Sequence, residues 1–109
     1  MPDSKIRWNM ETLRTRAAST FTGSYQTLGA VTANKAVGFC IVNNSSVDVT
    51  ISNDGTNDKM YIPAGSFKLI DIAANCESDD ESFLPAQTQF YVKGSAGTGS
   101  VNLEIYFQY

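Results

Sequence analysis

The chain has 109 residues, with eight basic and eleven acidic side chains, two cysteines and no histidine. Its length suits one domain, and 42% apolar with 17% charged residues is typical of a globular protein. Without histidine, Ser-His-Asp and Cys-His catalysis and imidazole metal sites are excluded. The longest unbroken apolar run covers only residues 39–42, so we expect no membrane partner. We expect a non-enzymatic structural or binding protein without a cofactor.

The first residues form a basic segment in front of an acidic remainder. Residues 1–16 contain four basic and two acidic side chains (+2), whereas residues 17–109 contain four lysines and nine acids (−5). This asymmetry predicts an N-terminal docking arm over residues 1–18 and a folded domain over residues 19–109. Ile6, Met10, Leu13 and Ala17 recur at helical spacing, which favours a short helix; an extended arm is the alternative.

A helix of this length is marginal in water, so the arm needs a surface on which to lie. A solvated terminal helix is the alternative to docking. The candidate partner-binding residues are its apolar anchors and arginines: Ile6, Arg7, Trp8, Met10, Leu13, Arg14 and Arg16. We expect removal of residues 1–16 to leave the domain folded and to weaken assembly.

The remainder of the chain predicts strands separated by turns. Residues 25–28 predict a short strand, and residues 36–42 are apolar on both faces, as in a central strand. Further strands are predicted at 47–52, 59–62, 66–72 and 89–93. Residues 100–109 alternate apolar and polar side chains, which indicates a half-buried strand. The pattern predicts an all-β protein: a single β-sandwich or jelly-roll-like domain of six to eight short antiparallel strands.

Few residues suggest chemistry. The acidic run at residues 77–81 and the group Asp54, Asn57 and Asp58 offer oxygen ligands, but neither has the spacing of an EF-hand, and we expect no metal site. Cys40 and Cys76 are expected to be free thiols, with a disulfide as the alternative. An acidic domain with few arginines predicts no nucleic-acid partner.

Two tyrosines fall on the polar faces of their predicted strands. Tyr91 and Tyr106 are therefore possible surface-contact residues. Their rings suit a protein interface better than a sugar, although both uses are open.

The chain also resembles a known group of proteins. The resemblance lies in Ile-Val-Asn-Asn-Ser-Ser-Val-Asp-Val-Thr-Ile-Ser-Asn-Asp-Gly at 41–55, Tyr-Ile-Pro-Ala-Gly-Ser at 61–66, and Phe-Tyr-Val-Lys-Gly with its Gly/Ser/Thr tip at 90–99. These segments resemble small β-sandwich virion proteins of tailed bacteriophages.

The resemblance implies an accessory protein of the virion, most simply a capsid decoration (cement) protein. Such a protein binds neighbouring virion subunits, here through the arm and the sandwich surface, and we expect a homo-oligomer. A head–tail, collar or tail accessory protein and a carbohydrate-binding, receptor-facing module are the alternatives.

Overall fold

The computed structural model describes residues 8–71 and 84–108, excluding the side chains of Trp8 and Gln108. These residues form nine strands and one 3-10 turn at Ala18–Thr20. The strands are β1 (Trp8–Met10), β2 (Arg14–Ala17), β3 (Gln26–Thr27), β4 (Ala36–Ser45), β5 (Val49–Ser52), β6 (Met60–Ile62), β7 (Phe67–Asp71), β8 (Tyr91–Lys93) and β9 (Gly99–Gln108). Within the described ranges, no helix has the length and apolarity to cross a membrane.

The strands form two antiparallel sheets. In the larger sheet, β1 and β2 both pair with β9, and the order continues through β4 to β7. The smaller sheet has the order β3-β8-β5-β6. Two antiparallel sheets around one apolar core are consistent with a β-sandwich, so the predicted fold class is confirmed.

All seven strands predicted after the arm are present as β3 to β9, with shifted ends. The helix favoured for the arm is wrong for its described part, because β1 and β2 are extended and pair with β9. The ten-residue β9 offers an edge of backbone donors and acceptors, and pairing with it satisfies more of them than a marginal helix can. The described part of the arm is therefore built into the larger sheet.

The core lies between the sheets and is mainly aliphatic. The larger sheet contributes Val101, Leu103 and Ile105 from β9, all fully buried. Phe39 of β4 meets Phe90, which precedes β8, with ring centroids 5.0 Å apart and planes tilted by 54°. This tilted aromatic pair joins the two sheets across the core.

One buried polar side chain also links the sheets. Asn43 of β4 is fully buried, and its Nδ2 donates to the carbonyl oxygens of Val47 and Ile62 at 2.9 and 3.0 Å. Its Oδ1 accepts hydrogen bonds from the backbone and hydroxyl of Ser45. The amide thus ties β4 to the end of β6 and fixes the chain where it passes between the sheets.

Candidate interaction surface

Strand register defines the side of the larger sheet that points away from the core. Three rows of residues cross this side from β9 through β4 to β7: Tyr106–Gly38–Asp71, Glu104–Cys40–Leu69 and Asn102–Val42–Phe67. Met10 of β1 extends the first row because it pairs with Tyr106. These positions alternate along β9 with the buried core residues, so they form the opposite face. We call this set of residues the outer face.

The outer face carries large apolar side chains that remain in contact with solvent. Phe67 is 64% exposed, Leu69 58% and Met10 64%. Leu13 lies in the connection between β1 and β2, outside the paired rows of the outer face but at the edge of the same sheet, and it is 55% exposed. We call these four residues the apolar patch. Met10 and Leu13 lie at one edge of this sheet and Phe67 and Leu69 at the other. Exposed apolar side chains on one rigid sheet are typical of a surface that another molecule covers.

The phase of β7 puts two of these side chains outside. Lys68 and Ile70 pair with Ile41 and Phe39, so they share the core side, while Phe67 and Leu69 face outward. Lys68 nevertheless reaches solvent because β7 ends the described strand order of its sheet. Lysine is compatible with this inner position because its long aliphatic stem can lie along the sheet while its ammonium group reaches water. Phe67 and Leu69 therefore occupy the outward positions of β7.

A depression of about 230 Å³ lies in the outer face beside β7. Gly38 forms part of its wall together with Leu69, Ile70, Asp71 and Tyr106. A side chain at Gly38 would place its Cβ 3.0 Å from the carbonyl oxygen of Ile70 and 3.4 Å from the Tyr106 ring. The glycine therefore permits close packing here, and the depression has room for a side chain of a binding partner.

Three polar groups of the outer face, those of Tyr106, Glu104 and Cys40, interact with one another. Tyr106 donates its hydroxyl hydrogen to Glu104 Oε1 at 2.6 Å, and burial with this bond raises the pKa of Tyr106 to about 12. Burial, and secondarily the charge of Glu104, raises the pKa of the free thiol of Cys40. Cys40 is therefore protonated at neutral pH, which makes it a packing residue and a poor nucleophile. Cys76 lies outside the described residues.

Arg14, predicted to bind a partner, is instead enclosed by its own chain. Only 9% of its side chain is exposed. Its guanidinium donates to the carbonyl oxygens of Thr12 and Val31 at 2.7 Å and of Ala30 at 3.2 Å. It also forms an ion pair with Glu11 at 2.8 Å. Through these bonds Arg14 holds the loop before β4, which contains Ala30 and Val31, against the N-terminal strands.

Glu11, the acidic partner of Arg14, belongs to the same network. Its carboxylate accepts hydrogen bonds from the backbone N–H groups of Ala33 and Asn34 and from the Asn34 side chain. Burial acts to raise the pKa of Glu11, but these hydrogen bonds and the nearby Arg14 together lower it below its ordinary value. The sequence contained the pair at i,i+3 spacing, but it could not show that a distant loop closes over it.

The other predicted arm residues have different surroundings. Arg16 is half-buried and donates to Thr20 Oγ1 and to the carbonyl oxygen of Thr27, both at 3.0 Å. Met10 and Leu13 are exposed, as a contact residue requires. Ile6 and Arg7, and the side chain of Trp8, lie outside the described part of the chain.

Tyr91 and Tyr106 are not brought together, because they belong to different sheets. The Tyr91 ring lies half-buried against Gly55, where an added Cβ would be 3.2 Å from it. Tyr106 lies on the outer face beside the apolar patch. Phe67 and Leu69 were not identified from the sequence, since each phase of β7 contains both apolar and charged residues and only the packing selects which phase faces outward.

Among the described residues, no group of three cysteine, aspartate or glutamate side chains is arranged to hold a metal ion. Asp54 instead accepts hydrogen bonds from the Ser52 hydroxyl and the backbone of Thr56 and Asn57, which lower its pKa. It shapes the turn after β5. The acidic run at 77–81 falls outside the described residues.

The sequence matches no model of a known protein family and no curated protein.

Proposed function

We propose that this protein is a non-enzymatic structural component of a bacteriophage particle, most simply a capsid decoration or cement protein. Its location would then be the virion, and its partners would be other virion proteins, including further copies of itself. The observation that carries the proposal is the exposed apolar patch of the larger sheet. Residues 41–55, 61–66 and 90–99 resemble phage virion proteins, and this resemblance is the reason for proposing a phage particle as the location.

The dimensions of the patch favour a protein partner. Met10 and Leu69 lie on strands separated by two others, so these two strands are about 14 Å apart at ordinary strand spacing. A standard protein interface covers about 800 Å² on each partner, so one such contact spans the whole patch. Of the outer-face residues, Glu104 and Asp71 carry formal charges, and both are acidic. The complementary surface on a neighbouring subunit is therefore apolar with basic residues around it.

The energetics favour attachment in many copies. Full burial of a Phe, Leu or Met side chain contributes about 1.5–3 kcal/mol, so residues already half-covered contribute about 1–1.5 kcal/mol each. The four residues of the apolar patch together supply about 4–6 kcal/mol, which is close to the lower estimates of the entropy lost on association. A single contact is accordingly weak, while copies that also bind each other on a symmetric shell attach firmly.

The proposal is tested by adding purified protein to particles assembled without it, from the phage that encodes the chain. We expect wild-type protein to co-sediment with the particles, and Phe67→Ser/Leu69→Ser to lose at least about tenfold in bound copies. Lys68→Ser, on the other side of the same strand, is the matched control and should bind normally. Failure of the wild type to bind, or equal binding by the double variant, would contradict the proposal.

The alternative positions within the virion are separated by electron microscopy of the same particles. A gold label on the chain should cover the shell if it is a decoration protein. Label confined to the neck or tail would instead make it a head–tail, collar or tail accessory protein. In both cases the dependence on Phe67 and Leu69 tests the same surface.

A further inference from the structure

The smaller sheet has an outward face of a different character. Tyr61 of β6 pairs with Thr50 of β5, and Thr50 pairs on its other side with Lys93 of β8. These three residues form a straight row that alternates with the buried Val49, Ile51 and Val92. An aromatic ring, a hydroxyl and an ammonium group therefore lie side by side across the sheet surface.

The row lies in an open depression of about 280 Å³. Asp48, directly before β5, lines it together with Tyr61, Thr50 and Lys93; Gly23, Val49, Gly94 and Ser95 also contribute. This volume is just below the range of drug-sized ligand sites, which is about 300–1,000 Å³. It is the size expected for a compact polar molecule or for one end of a longer one.

The exposed tyrosine is held in a fixed direction. Tyr61 is 53% exposed, yet its hydroxyl donates to Asp48 Oδ2 at 2.9 Å. Asp48 Oδ1 in turn accepts the backbone N–H of Ala64 at 2.9 Å. The bonds from Ala64 and Tyr61 lower the pKa of Asp48, and its carboxylate raises the pKa of Tyr61. A ring fixed before a ligand arrives loses less conformational entropy on binding.

A second tyrosine orders the other end of the row. Tyr25 has a single hydroxyl hydrogen and donates it to Asp58 Oδ1. Its 3.3 Å contact with Thr50 Oγ1 is therefore a bond donated by the threonine, whose oxygen keeps lone pairs to accept from a ligand. Lys93 Nζ lies 3.1 Å from Asp58 and 4.8 Å from the centre of the Tyr25 ring. These contacts position the ammonium group beside the depression.

This set of groups has the chemistry of a saccharide site. A sugar ring offers a C–H face for the exposed tyrosine and hydroxyls that can both donate and accept. Asp48 accepts hydrogen bonds, Lys93 donates them, and Thr50 accepts them beside the ring. Two carboxylates accompany one ammonium here, so an anionic ligand such as a phosphate is disfavoured. A lipid is disfavoured as well, since two charged side chains, Asp48 and Lys93, line the depression.

We propose that the outward face of the smaller sheet binds a neutral saccharide, with Tyr61 stacking on the sugar ring and Asp48, Thr50 and Lys93 bonding its hydroxyls. The site lies on the opposite sheet from the apolar patch, so the chain can bind a sugar while its larger sheet is attached to a partner. The proposal does not depend on the proposed virion function.

The test is a titration of the isotope-labelled full chain with the methyl glycosides of glucose, galactose and N-acetylglucosamine at millimolar concentration, followed by amide chemical shifts. We expect at least one glycoside to shift the amides of Thr50, Lys93 and Gly94. Tyr61→Ala should weaken this binding about tenfold, which is the contribution expected of one aromatic contact. Phe67→Ala removes an exposed aromatic ring from the larger sheet instead and is the matched control.

Tyr61→Phe separates stacking from orientation, because it keeps the ring and loses the bond to Asp48. It should bind more weakly than wild type and more tightly than Tyr61→Ala. The proposal is overturned if none of the three glycosides shifts these amides, or if Tyr61→Ala binds as well as wild type. Attachment to particles that requires Tyr61, without binding of any glycoside, would make this face a protein contact and would equally overturn it.

Discussion

Replacing Arg14 by methionine tests whether the N-terminal strands are part of the folded domain. The substitution keeps an unbranched side chain in the same space but removes every donor that Arg14 supplies. Three carbonyl oxygens, of Thr12, Ala30 and Val31, lose their bonds, and the buried Glu11 carboxylate loses its cationic partner.

The expected loss of stability follows from this geometry. A hydrogen bond from a charged donor contributes about 1.5–3 kcal/mol, and breaking a buried ion pair costs about 3–5 kcal/mol. Thr12 and Ala30 are exposed, so water can replace part of the hydrogen bonding that their carbonyl oxygens lose with Arg14. We therefore expect the free energy of unfolding to fall by about 3 kcal/mol, toward the lower end of that range. Arg14→Lys keeps the charge but not the fork of donors and should lose an intermediate amount.

The assay is urea unfolding followed by circular dichroism, with Arg16→Met as the matched control. Arg16 also makes two hydrogen bonds, but they lie near solvent, and its replacement should cost less than about 1 kcal/mol. If Arg14→Met and Arg16→Met unfold at the same urea concentration, the inference that Arg14 secures the N-terminal strands is refuted. A large difference would also mean that removing residues 1–16 damages the domain, contrary to what the sequence led us to expect.

Two further predictions concern buried polar groups. Asn43→Ala should reduce the free energy of unfolding by about 2–3 kcal/mol, because the carbonyls of Val47 and Ile62 lose their donor. The control is Asn44→Ala at the exposed neighbouring position, which should change the free energy of unfolding by less than about 0.5 kcal/mol. Equal urea midpoints for the two variants would contradict the role of Asn43. The lowered pKa of Glu11 means that its contribution to stability is present above its unfolded pKa of about 4.3 and disappears as the pH falls through the folded value. Wild type should therefore lose stability more steeply than Glu11→Gln between about pH 5 and pH 3, and parallel pH profiles would exclude this role.

The limits of the sequence are clearest in the first strands. Ile6, Met10, Leu13 and Ala17 repeat at helical spacing, and that repeat favoured a helix. The decisive factor was the edge of β9, nearly a hundred residues away, which pairs with β1 and β2. Local spacing contains no information about such a partner, because the pairing depends on where the chain returns in space.

The candidate site was predictable only in part. Met10 and Tyr106 were identified from the sequence, and both lie on the outer face. Phe67 and Leu69 were not identified, and Arg14 was assigned to a partner although it lies inside the fold. The saccharide site likewise depends on register: Tyr61, Thr50 and Lys93 are distant in sequence and become neighbours only in the sheet.

The sequence by itself determined the class of fold and the positions of the seven strands that follow the arm. The alternation of apolar and polar residues in β9, the apolar run of β4 and the turns between strands are local properties. Each can be recognised in a sequence window of about ten residues. Tertiary structure decided which side of β7 faces the core, which charges are buried and which distant side chains share a surface. Those outcomes depend on the energy of packing two whole sheets together, and no single segment contains that energy.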